Sequence, residues 1–454
     1  MKRSTFLRTC LASAAGSALL PGLVHASPSH PATLPGPGAA APPGPGSAAT
    51  PGPGTAARLG PASWPPVDPH DEHFWAFVRD QFPLTKERAY FNTGGLGASP
   101  YAVLDTVKST MDELELICET GRTDELWAEI KTDAGRLLGC SAKELAFVRN
   151  TTEGINIVAC GLPWKEGDEV ILTTHEHVGN TLTWLALTKS HGIVLRLFEP
   201  STTSAEENLD RIKKLTGRRT RLISIPHVVT TTGLRLPVKE ISAFAKSRGI
   251  WCFLDGAQTA GMFPFSLHDI DCDAYATSGH KWLLGPKETG LLYVREGMLQ
   301  TITPRFVGAY SEGGFDLAKG TLAFHPTAQR YEYGTVSAPL RAGLGAAVKF
   351  IERIGIENVW KRDRELGDHL AAGLREIPDI QVLSPEPPSL QSAMTTFMHS
   401  RIPYLVLQEH LTGYNLRTRG VAEGGLAALR ISTHIYNSHD EVDRLLEGIR
   451  SAKP

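Results

Sequence analysis

The chain has 454 residues, 41% of them hydrophobic, and a formal net charge of -2. That length fills one large domain with a smaller companion, and the near-neutral balance excludes a strong electrostatic pull toward nucleic acid, so small neutral or zwitterionic ligands are favoured. Residues 1–26 read as an export signal: Lys2, Arg3 and Arg8 lie about a basic start, Leu11 to Leu20 is apolar, and Val24-His25-Ala26 resembles a cleavage site. Ser4 stands where a twin-arginine signal has its second arginine, so a degenerate signal and a periplasmic destination are expected, with a cytoplasmic tail as the alternative. The apolar run is too short to cross a bilayer, and no stable membrane span is expected once the signal is removed.

Residues 27–66 are rich in Pro, Gly and Ala, with Pro-Gly-Pro-Gly at Pro35 and Pro51, a composition that buries too little surface to fold and serves as a tether. Residues 67–90 form an arm. From Tyr90 onward, Leu145 to Val148, Glu169 to Thr173, Val194 to Phe198, Leu222 to Pro226 and Trp251 to Leu254 have the β-rich composition of strands. Asn180 to Ser190 and Val238 to Arg248 between them read as helices. This alternation predicts an α/β fold: a large domain, residues 91–338, with a mainly parallel sheet, helices on both faces, and ligands beyond the carboxyl ends of the strands. A long helix over Leu340 to Leu374, further strands and a last helix from Ser438 to Ala452 predict a smaller α+β domain, residues 339–454. Cys10, Cys118, Cys140, Cys160, Cys252 and Cys272 form no metal-type pair; Cys252 and Cys272 lie in strand-like runs where buried thiols are expected.

Chemistry concentrates at strand ends. The Trp251 to Leu254 run stops at Asp255 before Gly256-Ala257-Gln258, and Asp273 to Ser278 leads to Gly279-His280-Lys281, which places a carboxylate and an amine in one crevice. Taken singly, Asp255-Gly256 is equally a turn and Lys281 a surface lysine. Thr151-Thr152-Glu153-Gly154 after the first strand offers hydroxyls and free backbone N–H groups at a helix start, suited to a phosphate or to a plain cap. His175 and His177 lack zinc-helix spacing, so no metal is expected. A lysine, a ring-facing acid and a phosphate anchor are the parts pyridoxal phosphate requires: the lysine joins its aldehyde, and the acid keeps its pyridine nitrogen protonated.

Six ordered segments resemble the class V aminotransferase family of fold-type I pyridoxal phosphate enzymes, which includes cysteine desulfurases and isopenicillin N epimerase. They are Tyr90 to Gly95, Asn150 to Asn156, Glu176 to Asn180, Asp255 to Gln258, Ser278 to Lys281 and Leu429 to Ser432. The resemblance implies that Thr151, Thr152, Ser278 and His280 hold the phosphate, that His177 stacks on the ring, and that Lys281 and Asp255 serve as catalytic base and ring partner. It further implies that Gln258, with Thr230, attends the phenolic side, and that Asn92 and Arg430 bind the substrate, Arg430 gripping its carboxylate. Thr335 matches a position that reaches the phosphate of a neighbouring subunit, which implies a homodimer.

Two departures bear on the reaction. Asn415 to Ala428 contains Arg417, Arg419 and Glu423 but no cysteine, where the desulfurases carry a nucleophilic one, and Thr230 replaces an asparagine. The pattern therefore leans toward an isopenicillin N epimerase-like enzyme acting at the α-carbon of an amino acid, with epimerase, lyase or aminotransferase outcomes open. The alternatives are a C–S lyase or desulfurase-related enzyme on a sulfur-containing amino acid, and an exported cofactor-binding protein without turnover.

Overall fold

The computed structural model describes residues 64–453; the expected signal and nearly all of the Pro-Gly-Ala tether lie outside them. The strands, in chain order, are β1 (Ala89–Tyr90), β2 (Leu145–Val148), β3 (Glu169–Thr173), β4 (Val194–Phe198), β5 (Thr220–Pro226), β6 (Trp251–Asp255), β7 (Ala274–Ser278) and β8 (Gly290–Val294). There follow β9 (Glu312–Asp316), β10 (Thr321–Phe324), β11 (Ile380–Val382), β12 (Met394–His399), β13 (Leu416–Arg417), β14 (Arg419–Val421) and β15 (Ala428–Ser432).

Seven strands form the large sheet in the order β2-β8-β7-β6-β5-β3-β4. Only β8 runs against its neighbours; the other contacts are parallel. The period-two alternation of side chains along a strand divides the core. Phe147, Ile171, Ile223, Cys252, Leu254 and Tyr275 enter one apolar cluster, packed with Trp127, Ile241 and Leu344 of helices. Ala146, Val170, Leu172, Phe253, Ala274 and Ala276 enter another with Ile155, Val158 and Trp184 of helices Thr151–Gly161 and Val178–His191. Both faces of the inner strands are thus covered, and their continuous burial explains their apolar sequences, whereas the edge strand β4 is largely exposed.

A second sheet, β11-β12-β15-β14, is antiparallel throughout. Its core joins Phe397, Leu429 and Ile431 to Leu366 and Leu370 of helix Ile356–Arg375 and Val442 and Leu445 of helix His439–Ser451. Ser438 and Glu441 close a capping box at the start of that last helix, which fixes its entry. The short strand β1 pairs in parallel with β13, and Ala89 and Phe91 add to this core.

The single helix expected over Leu340 to Leu374 is two, Ala338–Ile354 and Ile356–Arg375. Gly355 parts them at φ 88°, a conformation that glycine adopts without Cβ strain; the uninterrupted apolar period hid this break. Among the described residues, no helix is long and apolar enough to cross a membrane.

Candidate active site

The parallel strands deliver their terminal residues to one end of the large sheet. Thr151 follows β2, His177 follows β3, Thr230 follows β5, Asp255 ends β6, and Ser278 ends β7 three residues before Lys281. With Gly94, Gly95, His280, Arg419 and Arg430 these residues line a cavity of about 210 Å³.

Glycines set how closely the backbones approach. A Cβ on Gly256 would lie 1.9 Å from the Tyr275 ring, and one on Gly97 would lie 2.0 Å from the Lys281 carbonyl oxygen. One on Gly179 would lie 2.4 Å from Thr152 Oγ1. The first two meet a buried ring and a backbone carbonyl, so the turn after Asp255 and the chain beneath Lys281 depend on a missing side chain, whereas the Thr152 hydroxyl beside Gly179 is a side-chain end that can turn aside.

Asp255 is buried and its carboxylate, among the described residues, accepts one hydrogen bond, from the Ala257 N–H at 2.9 Å. Burial raises its pKa, while that N–H and Lys281 oppose the rise. Lys281 is 9% exposed, so it is no surface lysine. Burial lowers its pKa to about 8 against the attraction of Asp255. His177 caps helix Val178–His191, its Nδ1 accepting the Gly179 N–H at 3.1 Å. Burial first, then Lys281, draws its pKa down to about 4, leaving an uncharged ring at neutral pH.

At the other side of the cavity Thr151 begins helix Thr151–Gly161, with Asn150 as its cap. The hydroxyls of Thr151 and Ser278 meet at 2.7 Å, beside helix N–H groups that lack intrahelical acceptors. His280 lines the same side, with Nδ1 3.3 Å from the Thr289 carbonyl.

Arg430, 1% exposed, reaches in from the middle of β15. Its Nη1 donates to the Thr230 carbonyl and Oγ1, both at 2.8 Å, and its Nη2 to Asn92 Oδ1 at 3.4 Å. Its Nε is buried without a partner. Burial, then Arg419, pulls its pKa down to about 9, so the guanidinium remains charged at neutral pH without a carboxylate against it. Arg419 stands opposite Arg430 in the β14–β15 register. It pairs with Glu423 through Nη2, while its buried Nη1 has no partner.

Three expected site residues stand back from the cavity wall. Gln258 spends its amide on the Gly94 carbonyl at 2.8 Å and Thr230 Oγ1 at 3.3 Å, and accepts the Trp282 indole N–H at 2.8 Å. Asn92 acts through Arg430. Thr335 is exposed and lines a different cavity, with Arg122, Arg149 and Arg341.

Arg419, which the sequence offers as a solvated loop residue or as a contact for a second acidic group of the substrate, lines the cavity. Glu176 also gains weight. It accepts from Thr173 N–H and Oγ1 and from Asn180 Nδ2 at 3.0, 2.8 and 2.9 Å, and burial lifts its pKa to about 7. No cysteine lines the cavity among the described residues.

The class-V aminotransferase family model matches residues 115–445. The chain belongs to the class V aminotransferase family. Curated relatives include the cysteine desulfurase of Cronobacter sakazakii, 32% identical over 82% of this chain and 96% of that protein. A cysteine desulfurase of Shigella sonnei is 32% identical over 68% of this chain and 78% of that protein. Among solved structures, the cystine C–S lyase C-DES, in complex with its reaction product cysteine persulfide, superposes with a TM-score of 0.76 at 26% identity. It covers 82% of this chain and 100% of that chain. The cysteine desulfurase of Thermococcus onnurineus NA1 gives a TM-score of 0.73 at 25% identity, over 83% and 97% of the two chains. These relatives carry sulfur chemistry, which supports the lyase or desulfurase alternative over the epimerase-like outcome expected from the sequence.

The chain is thus a pyridoxal phosphate-dependent enzyme of that family, with the fold-type I architecture. The donor set fits the cofactor: a buried amine with no hydrogen bond or ion pair among the described residues, a buried carboxyl with one hydrogen-bond donor among them, a neutral imidazole, and paired hydroxyls at a helix start.

Proposed function

We propose that the enzyme is a C–S lyase that cleaves the Cβ–S bond of a sulfur-containing amino acid. The observation that carries this reading is a cavity with a buried amine and an unmatched guanidinium but no thiol. Thr151, Thr152, Ser278 and His280 would hold the phosphate ester of pyridoxal phosphate, His177 would lie along the ring, and Asp255 would face the pyridine nitrogen. Bound there, the cofactor supplies an electron-accepting ring that stabilises negative charge at the substrate α-carbon.

Arg430 would clamp the substrate carboxylate through its free edge, which supplies the counterion its burial lacks. Lys281, with its pKa brought to about 8, takes the α-proton as general base. The Cβ–S electron pair departs with sulfur, and Lys281 or water protonates the leaving thiolate or persulfide. Water then converts the unsaturated amino acid to pyruvate and ammonia. A desulfurase of the relatives' kind would instead pass sulfur to an enzyme thiol, and the cavity offers none: Cys252 and Cys272 are buried elsewhere with raised pKa values.

A panel of L-cystine, L-cysteine and non-sulfur amino acids, with products identified by mass and chirality, tests the proposal. Pyruvate with sulfide or persulfide is the expected result. Alanine would point to desulfuration, a racemised substrate to epimerisation, and no response from any amino acid to a binder without turnover.

We further propose a homodimer, supported by exposed Thr335 and by Val178, Leu182 and Leu185, which form an exposed apolar stripe on the helix after His177. Sedimentation at micromolar concentration should give twice the chain mass.

A further inference from the structure

Behind Lys281 lies a fully buried pair that the chemistry above does not use. Asp363, on helix Ile356–Arg375, and His434, just after β15, are both 0% exposed. The two Asp363 carboxylate oxygens lie 3.2 and 3.0 Å from His434 Nδ1. On the far side of the ring, Nε2 lies 3.0 Å from the carbonyl oxygen of Trp282, the residue after Lys281.

A carbonyl oxygen only accepts, so Nε2 carries a hydrogen. The proton between Nδ1 and the carboxyl can sit on either group without disturbing that donor, because Nε2–H is present in the imidazolium and in the matching neutral tautomer. Arg362 and Arg364 flank Asp363, and with His434 they oppose the rise in its pKa that burial causes. The ring is also packed edge-on against Trp282 and Tyr436, at 5.2 and 5.6 Å between centroids.

The same short backbone segment is held from other directions. The Gly97 N–H donates to the His280 carbonyl at 2.8 Å. The Trp282 indole N–H donates to Gln258 Oε1 at 2.8 Å. The contact from His434 reaches this segment from just beyond β15, the strand that carries Arg430 four residues earlier in the chain.

We infer that His434, oriented by Asp363, is a positioning residue for Lys281: its Nε2–H fixes the Trp282 carbonyl and thereby the backbone that aims the reactive amine at a substrate held by Arg430. This rests on the reading of Lys281 as the reactive amine. Borohydride trapping of the cofactor-supplied wild type at Lys281 tests that reading separately.

The test compares wild type with Asp363→Leu/His434→Phe, which keeps the ring packing and leaves no buried charge unpaired. In cofactor-free protein, the pH midpoint for modification of Lys281 by trinitrobenzenesulfonate is read by peptide mass spectrometry, alongside the thermal midpoint. In loaded enzyme, kcat and KM are measured. The expected result is a thermal midpoint within a few degrees of wild type and a lysine midpoint moved toward that of an ordinary lysine. A fall in kcat of about tenfold with KM nearly unchanged should accompany it, since a small misplacement of a reacting group is costly. An unchanged lysine midpoint and kcat in the folded double variant would overturn the inference. His434→Asn, which stays polar beside Asp363 but is too short to reach the Trp282 carbonyl, gives the same decision if the double variant does not fold: an unshifted lysine midpoint there also overturns it.

Discussion

The two walls of the cavity are built on opposite principles. The wall from the large sheet collects groups of both signs at the ends of parallel strands, and glycines at Gly97 and Gly256 allow close approaches that a Cβ would obstruct. The wall from the antiparallel sheet carries Arg430 and Arg419 side by side, with Glu423 as the nearby acid and two guanidinium nitrogens left without partners. Each wall leaves buried groups unmatched, the Lys281 amine on one and two guanidinium nitrogens on the other, and on the proposed function an anionic substrate would meet the second. On the proposed function, the first wall would hold the cofactor and the second would select the substrate.

The largest effect that sharpens this contrast is expected for Lys281→Ala. It should lower kcat by about 10³-fold or more, the scale of a lost general base, while phosphate contacts keep cofactor bound in equilibrium dialysis; turnover near wild type would remove Lys281 from the reaction. Arg430→Met should lower kcat/KM by about 2–4 kcal/mol, roughly 10²-fold, through loss of a desolvated charge contact. The same change should raise the thermal midpoint of the cofactor-free protein, because it removes a buried cation. A fall in both would mean that Arg430 is structural, and the two walls would no longer differ.

Gly256→Ala should break the other wall, costing about 1–3 kcal/mol in urea unfolding as Tyr275 is displaced. The smallest effect concerns acid. His177 and His227 have pKa values held at about 4 and about 3 by burial, below the ordinary histidine range. The unfolded chain therefore binds more protons between those values and about 6.5, so the stability these groups contribute is present above pH 6.5 and lost on acidification. His227→Gln should flatten that slope of thermal midpoint against pH; an unaltered slope would exclude His227 as its source.

Much of the first wall was legible because its chemistry is written contiguously. Asp255-Gly256 and Ser278-Gly279-His280-Lys281 each put a strand end, a turn and a reactive group within a few residues, and β3, β4 and β2 have the bounds that their apolar runs predict. The second wall was legible only at Arg430. Arg419 enters the cavity through cross-strand register, which no local pattern states. Gln258, expected at the phenolic side of the cofactor, has its amide spent on Gly94 and Thr230, partners that only the fold brings together. Asp363 and His434 are distant in sequence and carry no motif, so their pairing was invisible. The break at Gly355 was hidden because a glycine within an apolar helical period is as often tolerated as it is a stop.

The parallel pairing of β1 with β13 has a consequence for synthesis. Ala89 and Tyr90 leave the ribosome early, yet their partners Leu416 and Arg417 emerge near the end of translation. The guanidinium pocket therefore assembles last, after the main sheet has had time to form, and long loop closure makes this step slow. Activity should appear only when the whole chain is free, because a chain cut before β13 lacks Arg419, Arg430 and the partner of β1.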